Sequence, residues 1–250
     1  MCHCFGPVRE TLNGGNSRPN VTLLLAMGIA MTMTSGCIGS SCTCNGIDLW
    51  DAVQSGDHDA IQAYADAGGD LDCPSTTGGT ALTFCVMNQN LEVYRQLLAL
   101  GADPDAAGGS ESGVVCRAAA MDAPGWLELA LKHGGNPNSV STGGVELRED
   151  VAINIATYEG HLSQVQLLVE HGANIDARGY NGHTALTMAA VKSHFDIALF
   201  LLESGADQSI RSGNRLTFRQ YMRGKSPDKF ENPQQKASCE QVWEFLSKGE

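Results

Sequence analysis

Apolar and polar positions follow a helical rhythm over most of this chain, and the rhythm stops at regular points. The clearest stretch runs from Gly179 to Ile210. It opens on Asn181-Gly182, a pair that supports the positive φ of a tight turn. A short apolar run follows, Thr184-Ala185-Leu186-Thr187-Met188-Ala189-Ala190, then a polar break at Lys192 to His194. A second apolar run extends from Phe195 to Leu202 and stops at Gly205. The pattern predicts two short helices. Thr184 is a candidate N-cap for the first. Ala189 and Ala190 are small enough for another helix to approach closely, and Leu199, Leu201 and Leu202 give the second helix a buried side. Gly205 suits the left-handed conformation that ends a helix. Two helices this short cannot bury their faces alone, so the unit requires neighbours.

The neighbours are present. The stop recurs as Gly68-Gly69-Asp70, Gly101-Ala102-Asp103, Gly134-Gly135-Asn136, Gly172-Ala173-Asn174 and Gly205-Ala206-Asp207, at spacings of 33, 33, 38 and 33 residues. A small residue recurs in step at Ala52, Cys85, Ala118, Ala156 and Ala189. Thr80-Ala81-Leu82-Thr83 and Thr184-Ala185-Leu186-Thr187 match a Thr-Pro-Leu-His motif with two departures. Ala stands for Pro, which lowers preorganisation at the first helical position. Thr stands for His, so the side-chain hydrogen bond back to the turn lacks its usual group. With this period and grammar the chain resembles the ankyrin repeat family from Asn45 to Ile210. The resemblance implies an all-α fold, an ankyrin-repeat solenoid of stacked helix-turn-helix units with hairpin fingers. The expected units are residues 45–74, 75–107, 108–145, 146–178 and 179–211, then a decayed sixth repeat and cap over 212–250.

The first unit reads as an N-terminal cap, with Ile47, Leu49, Trp50, Ala52 and Val53 in its first helix, Ile61 and Tyr64 on its second, and many aspartates, as a solvent-facing terminal repeat requires. The third is the most degraded: Gly113-Val114-Val115 replaces the Thr-Ala-Leu motif and Asp122-Ala123-Pro124-Gly125 replaces the inter-helix break. The five extra residues fall in Ser139 to Val145, read either as a tolerated surface insertion or as a protruding contact. In the last segment, Thr217 to Arg223 is a candidate helix, Gly224 to Gln235 a polar loop, and Ser238-Cys239-Glu240-Gln241 a capping-box pattern expected to open a final helix.

Charge sharpens the expectation about partners. The chain is −12 overall. From Ile38 to Ile210 it carries 6 basic and 22 acidic residues (−16); from Arg211 to Glu250, 8 basic and 5 acidic (+3). So acidic a body repels phosphate backbones, which argues against nucleic acid. It favours a basic protein partner, unless the charge serves solubility alone.

Residues 1–36 read as a secretory signal: a front positive on balance (Arg9, Arg18), an apolar core from Val21 to Met31, then Met33-Thr34-Ser35-Gly36-Cys37. Small residues before a Cys resemble the lipobox of bacterial lipoproteins, with Cys37 the lipidated residue and Thr34 where Leu is usual. An uncut membrane anchor is the alternative; the run is shorter than the ~20 apolar residues a span needs. Residues 37–44 form a tether of at most ~25 Å. Ile38 after Cys37 implies, by the same resemblance, the periplasm with attachment to the outer membrane.

Catalytic grammar is absent: the chain has no Gly-x-Ser-x-Gly, His-Glu-x-x-His or phosphate loop. His161 and His194 are equivalent positions of successive repeats, as are His133 and His171, at ~8–10 Å spacing. That is too wide to share a metal, so neither metal nor cofactor is expected. Of the nine cysteines, Cys42 and Cys44 are the foremost disulfide candidates, with Cys73 a further partner, and a metal at Cys42 and Cys44 lacks a second ligand pair. Cys85 and Cys116 read as small buried residues.

The resemblance implies binding through the concave side. Its variable positions correspond to Thr76, Thr77, Met87 and Asn88 of the second repeat and Ser110, Ser112 and Met121 of the third. The fourth supplies Leu147, Arg148, Asp150, Tyr158 and Glu159, and the fifth Tyr180, Asn181, His183, Val191 and Lys192. Tyr158, Tyr180, Arg148 and Met121 are types that anchor interfaces. The expected function is a non-catalytic, monomeric protein-binding scaffold exported to a bacterial envelope, in an immunity or enzyme-protecting role. The alternatives are a structural envelope lipoprotein without a client, and an enzyme.

Overall fold

The computed structural model describes residues 42–75, 78–106, 113–141 and 150–248, all within the compact unit Ser35–Glu250. The signal-like segment and Cys37 lie outside the described residues. Ten helices form five antiparallel pairs: α1 Leu49–Ser55 with α2 His58–Asp66, α3 Ala81–Met87 with α4 Leu91–Ala99, α5 Val114–Ala120 with α6 Pro124–Lys132, α7 Ala152–Glu159 with α8 Leu162–Glu170, and α9 Ala185–Lys192 with α10 Phe195–Glu203. A sixth pair, α11 Phe218–Met222 and α12 Pro233–Lys248, completes the array. Odd-numbered helices pack in sequence on one another, and so do even-numbered ones.

Local chemistry explains where each helix begins and ends. Asp48, Asp57, Thr80, Asn90 and Thr184 cap their helices by accepting first-turn N–H groups. The glycine of each stop, at 68, 101, 134, 172 and 205, takes positive φ and turns the chain out of the second helix. Thr in the His slot keeps a bond within its own turn: Thr83 Oγ1 donates to Thr80 O at 2.8 Å, and Thr187 Oγ1 to Thr184 O at 3.0 Å. The third repeat breaks differently. Met121 is extended rather than left-handed, Pro124 starts α6, and the free Met121 carbonyl accepts from Gln164 Nε2 on α8.

The small residues at 52, 85, 118, 156 and 189 are buried at the contacts between repeats. Tyr94 is buried too, and its hydroxyl donates to Trp126 O of the next pair at 3.2 Å. A second link runs along the loops. Asp103 N donates to Asp72 Oδ1, Asn136 N to Asp105 Oδ1, Asn174 N to Asn138 Oδ1 and Asp207 N to Asp176 Oδ1, at 2.7–2.9 Å. The first four stops thus read Asp/Asn-x-Asp/Asn. The first side chain closes its own turn, and the second receives the amide of the following repeat. The ladder stops at Ser209, which holds the position of that second group in the fifth repeat.

The two ends differ from the sequence expectation. Ile47 lies in a hairpin rather than in the first helix: β1 Thr43–Cys44 pairs with β2 Ile47–Asp48 across Asn45 (φ 51°) and Gly46 (φ 78°). At the other end α12 starts five residues before the expected capping box. Asn232 Oδ1 accepts from Gln234 N and Gln235 N, so Ser238-Cys239-Glu240-Gln241 lies inside the helix. The 16-residue α12 lies against α10, and Phe230, just before it, meets Phe195 with ring centroids 5.0 Å apart.

Cys42 is bonded to Cys73, with Cα atoms 5.9 Å apart, and joins the hairpin to the loop after α2. Cys44, also a disulfide candidate, is not in the bridge; it is buried and its Sγ donates to Ala67 O at 3.5 Å. Cys42 is committed to Cys73, which leaves Cys44 as a thiol. Closing a loop of 31 residues restrains the unfolded chain. The Cys42→Ser variant is expected to lose about 2–4 kcal/mol in urea unfolding, and reduction of the wild type should reproduce that loss.

Between the fourth and fifth repeats lies a buried polar node. Asn154 Nδ2 donates to Asp150 Oδ1 at 2.9 Å and to His183 O at 3.0 Å, and His183 Nδ1 lies 3.2 Å from Thr187 Oγ1. A Cβ at Gly179 would collide with the Asp150 carboxylate, so this finger requires glycine there. Burial raises the Asp150 pKa. Burial lowers that of His183, and the Asp150 charge opposes the shift only in part. A depressed histidine is protonated first in the unfolded chain, so its contribution to stability falls as pH drops through 6.5. In urea melts at stepped pH, His183→Gln should lose less stability than wild type on descending through that value; parallel losses would show that His183 does not drive it.

Candidate protein-binding surface

The ends of the odd-numbered helices supply side chains that repeat packing leaves uncovered. Position seven of these helices is Met87 in α3, Ala120 in α5, Tyr158 in α7 and Val191 in α9. The following residues are Asn88, Met121, Glu159 and Lys192. Five large apolar side chains are exposed among the described residues: Met87, Val140, Tyr180, Val191 and Leu216. Three of them, Met87, Tyr180 and Val191, belong to the set expected from the sequence.

The structure brings several of that set together. Met87, Met121 and Glu159, from three successive repeats, line one cleft of about 340 Å³ with Val86, Gln89, Arg117 and Ala120. Next to it, Lys192 Nζ sits 3.8 Å from the centroid of the Tyr158 ring. This cation–π contact links the fourth and fifth repeats at the surface. Tyr180 and Asn181 lie on the turn of the fifth finger, and Gly213 N donates to Asn181 O at 2.8 Å, tying that finger to the next.

Two expected contact residues are not at the surface. Asp150 and His183 are buried in the polar node, because the fifth finger folds over them. Thr76, Thr77, Ser110, Ser112, Leu147 and Arg148 lie outside the described residues. The sequence reading missed Gln89, Arg117 and Ala120. Arg117 precedes Met121 by four residues, one helical turn, and that spacing was the available signal.

No group of three or more His, Cys, Asp or Glu residues suited to a metal occurs among the described residues. His194 Nε2 lies 3.4 Å from Tyr158 O, so this histidine supports the break between α7 and α8. Burial pushes the Cys85 and Cys116 thiols up to about 12, so they remain protonated and inert at neutral pH. No helix among the described residues is long and apolar enough to cross a membrane.

Comparison with known proteins agrees with this architecture. The family model for ankyrin repeats in three copies matches residues 115–212, and the single ankyrin repeat model matches residues 77–108. An ankyrin repeat and KH domain-containing protein, mask-1 of Caenorhabditis elegans, is 28% identical over 144 residues, which is 57% of this chain and 5% of that protein. A mitochondrial disaggregase of Bos taurus is 25% identical over 183 residues, 72% of this chain and 27% of that protein. The chain therefore spans well under a third of either curated relative. The crystal structure of the ankyrin repeat protein EF0377 superposes with a TM-score of 0.63 at 26% identity, covering 78% of this chain and 95% of that one. Ankyrin arrays are scaffolds for protein–protein interaction and are typically non-catalytic. By its helix pairs, its turn grammar and the match over residues 77–108 and 115–212, this chain belongs to the ankyrin repeat family.

Proposed function

We propose that this protein is an exported scaffold that holds one client protein on the concave face formed by its second to fifth repeats. The observation that carries this reading is the exposure of Met87 and Val191 at the ends of α3 and α9 and of Tyr180 on the adjoining finger, with the half-buried Met121 and Tyr158 at the equivalent ends of α5 and α7. Large apolar groups aligned across four repeats are stable in water one at a time, but together they form a surface that gains from burial. The body charge of −16 between Ile38 and Ile210 favours a client that is basic where it meets the first repeats. Immunity toward a toxin, or protection of an envelope enzyme, is the class of role we assign.

Export rests on the apolar core from Val21 to Met31 and on the small residues before Cys37. The Cys42–Cys73 bond supports the same reading, because such bonds persist in oxidising compartments. Cys37 is then the lipidated residue, and the array acts as a monomer on the periplasmic side of the outer membrane.

Two measurements test these readings. In the source cell, site-specific crosslinkers at positions 87 and 191 should trap one client, and Met87→Asp/Val191→Asp should abolish capture with an unchanged melting temperature. Equal capture by wild type and double mutant would reject the concave-face assignment and favour a structural role. Separately, Cys37→Ser should abolish labelling by a fatty-acid probe and move the protein from the membrane fraction to the soluble one. Unaltered labelling and fractionation would reject lipidation at Cys37.

A further inference from the structure

The two ends of the array carry opposite charge. Residues 42–75 contain Asp48, Asp51, Asp57, Asp59, Asp66, Asp70 and Asp72 and no Lys or Arg. Residues 211–229 contain Arg211, Arg215, Arg219, Arg223, Lys225 and Lys229 against one carboxylate, Asp228. At physiological ionic strength fields decay over about 8 Å, so each end meets a partner with its own local charge rather than with the net −12 of the chain.

The fifth and sixth fingers concentrate that cationic end. Arg178 Nη2 donates to Arg211 O at 2.5 Å, and Arg211 Nη1 donates to Arg215 O at 2.9 Å. These bonds hold the Arg178 and Arg211 side chains against the backbone of the sixth finger, which also carries Arg215, and all three arginines are exposed. A carbonyl does not neutralise a guanidinium, and each guanidinium has five N–H groups, so charge and donors remain. None of the three pairs with a carboxylate among the described residues, whose ion pairs are Lys132–Glu128, Lys236–Asp228 and Lys248–Glu244. The sequence supplies no competitor nearby, since residues 177–195 and 208–227 contain no Asp or Glu. The acids just before these segments, Asp176 and Asp207, accept the amides of Asp207 and Ser209 and form no ion pair with the three arginines. Tyr180 and Leu216, 43% and 38% exposed, stand on the same fingers.

We propose that the fifth and sixth fingers bind an acidic peptide segment of the client, with carboxylates on Arg178, Arg211 and Arg215 and apolar side chains against Tyr180 and Leu216. Guanidinium pairs with carboxylate through two parallel hydrogen bonds, and a row of three accepts carboxylates spaced along a chain. The interleaved apolar groups match a peptide that alternates the two characters better than they match a lipid surface. The proposal rests on the scaffold reading and refines it. The first repeats face the basic part of the client and the last fingers its acidic part, so the array binds it in one direction.

The test uses the full chain and a fluorescein-labelled decapeptide of alternating Glu and Leu, followed by anisotropy. Alternating Gln-Leu and Lys-Leu peptides and phosphatidylglycerol vesicles serve as comparisons. The Glu-Leu peptide is expected to bind at least about tenfold tighter than Gln-Leu, and to weaken as salt is raised. Arg215→Asp should weaken it about tenfold with an unchanged melting temperature. Asp tolerates the φ of 62° at that position, and the Arg215 carbonyl rather than its guanidinium makes the bond to Arg211, so this variant keeps the fingers intact. Arg178→Gln should act in the same direction. Equal binding of Glu-Leu and Gln-Leu, or binding unaffected by Arg215→Asp, overturns the proposal. Binding to vesicles that depends on Arg215 without peptide binding overturns it in favour of an anionic membrane. A client captured through Met87 and Val191 that ignores Arg215→Asp overturns the acidic-segment proposal and leaves the scaffold standing; a client that ignores both sets of changes overturns both.

Discussion

Close approach of neighbouring repeats is the constraint on which the rest of this molecule depends. Each helix pair is too short to bury its apolar faces alone, so it is stable only when another pair lies against it. Ala52, Cys85, Ala118, Ala156 and Ala189 permit that approach, and all are buried. A larger side chain at any of these points would force the helices apart and loosen the burial on both sides. The loop ladder from Asp72 to Asp207 then sets the register, because the amide of one repeat reaches the side-chain oxygen of the repeat before it.

A stack of this kind has two open ends, and each is closed by different chemistry. At the start, a two-residue-strand hairpin is bonded through Cys42 to Cys73, and Trp50 Nε1 donates to Cys42 Sγ at 3.3 Å. At the finish, α12 covers α10 with Cys239, Val242 and Leu246, while Trp243 Nε1 donates to Lys225 O at 2.9 Å. Neither device repeats the internal grammar, since an internal repeat would present another open face. The charge difference between the ends follows the same division: an end that faces solvent is free to be charged, whereas the interfaces between repeats are not.

The binding surface is what this packing leaves over. Residues near the ends of the odd-numbered helices lie beyond the reach of the neighbouring pair, so their identity is not set by the core. Met87 and Val191 are exposed for that reason, and Tyr158 is half-buried with Lys192 over its ring. The fingers obey a different rule. Where a finger folds over the preceding repeat, as at residues 179–183, it buries Asp150 and His183 and presents Tyr180 and Asn181 instead.

Periodicity alone determined the helix pairs, the positions of the small residues and the left-handed glycine stops, because each of these is a local demand repeated every 33 residues or so. The family resemblance singled out Met87, Val191 and Tyr180, and all three are exposed. Other features were written in the sequence but needed a local signal to be weighed more heavily. Asn45-Gly46 specified the hairpin, and Asn232-Pro233 specified the start of α12 over the weaker pattern at Ser238. Only the tertiary structure decided which of Cys42 and Cys44 meets Cys73, that Asp150 and His183 are buried, and that Arg178, Arg211 and Arg215 share one surface. Those outcomes depend on contacts between segments about thirty residues apart, and one-dimensional spacing does not say which side chain of a finger folds inward and which remains in water.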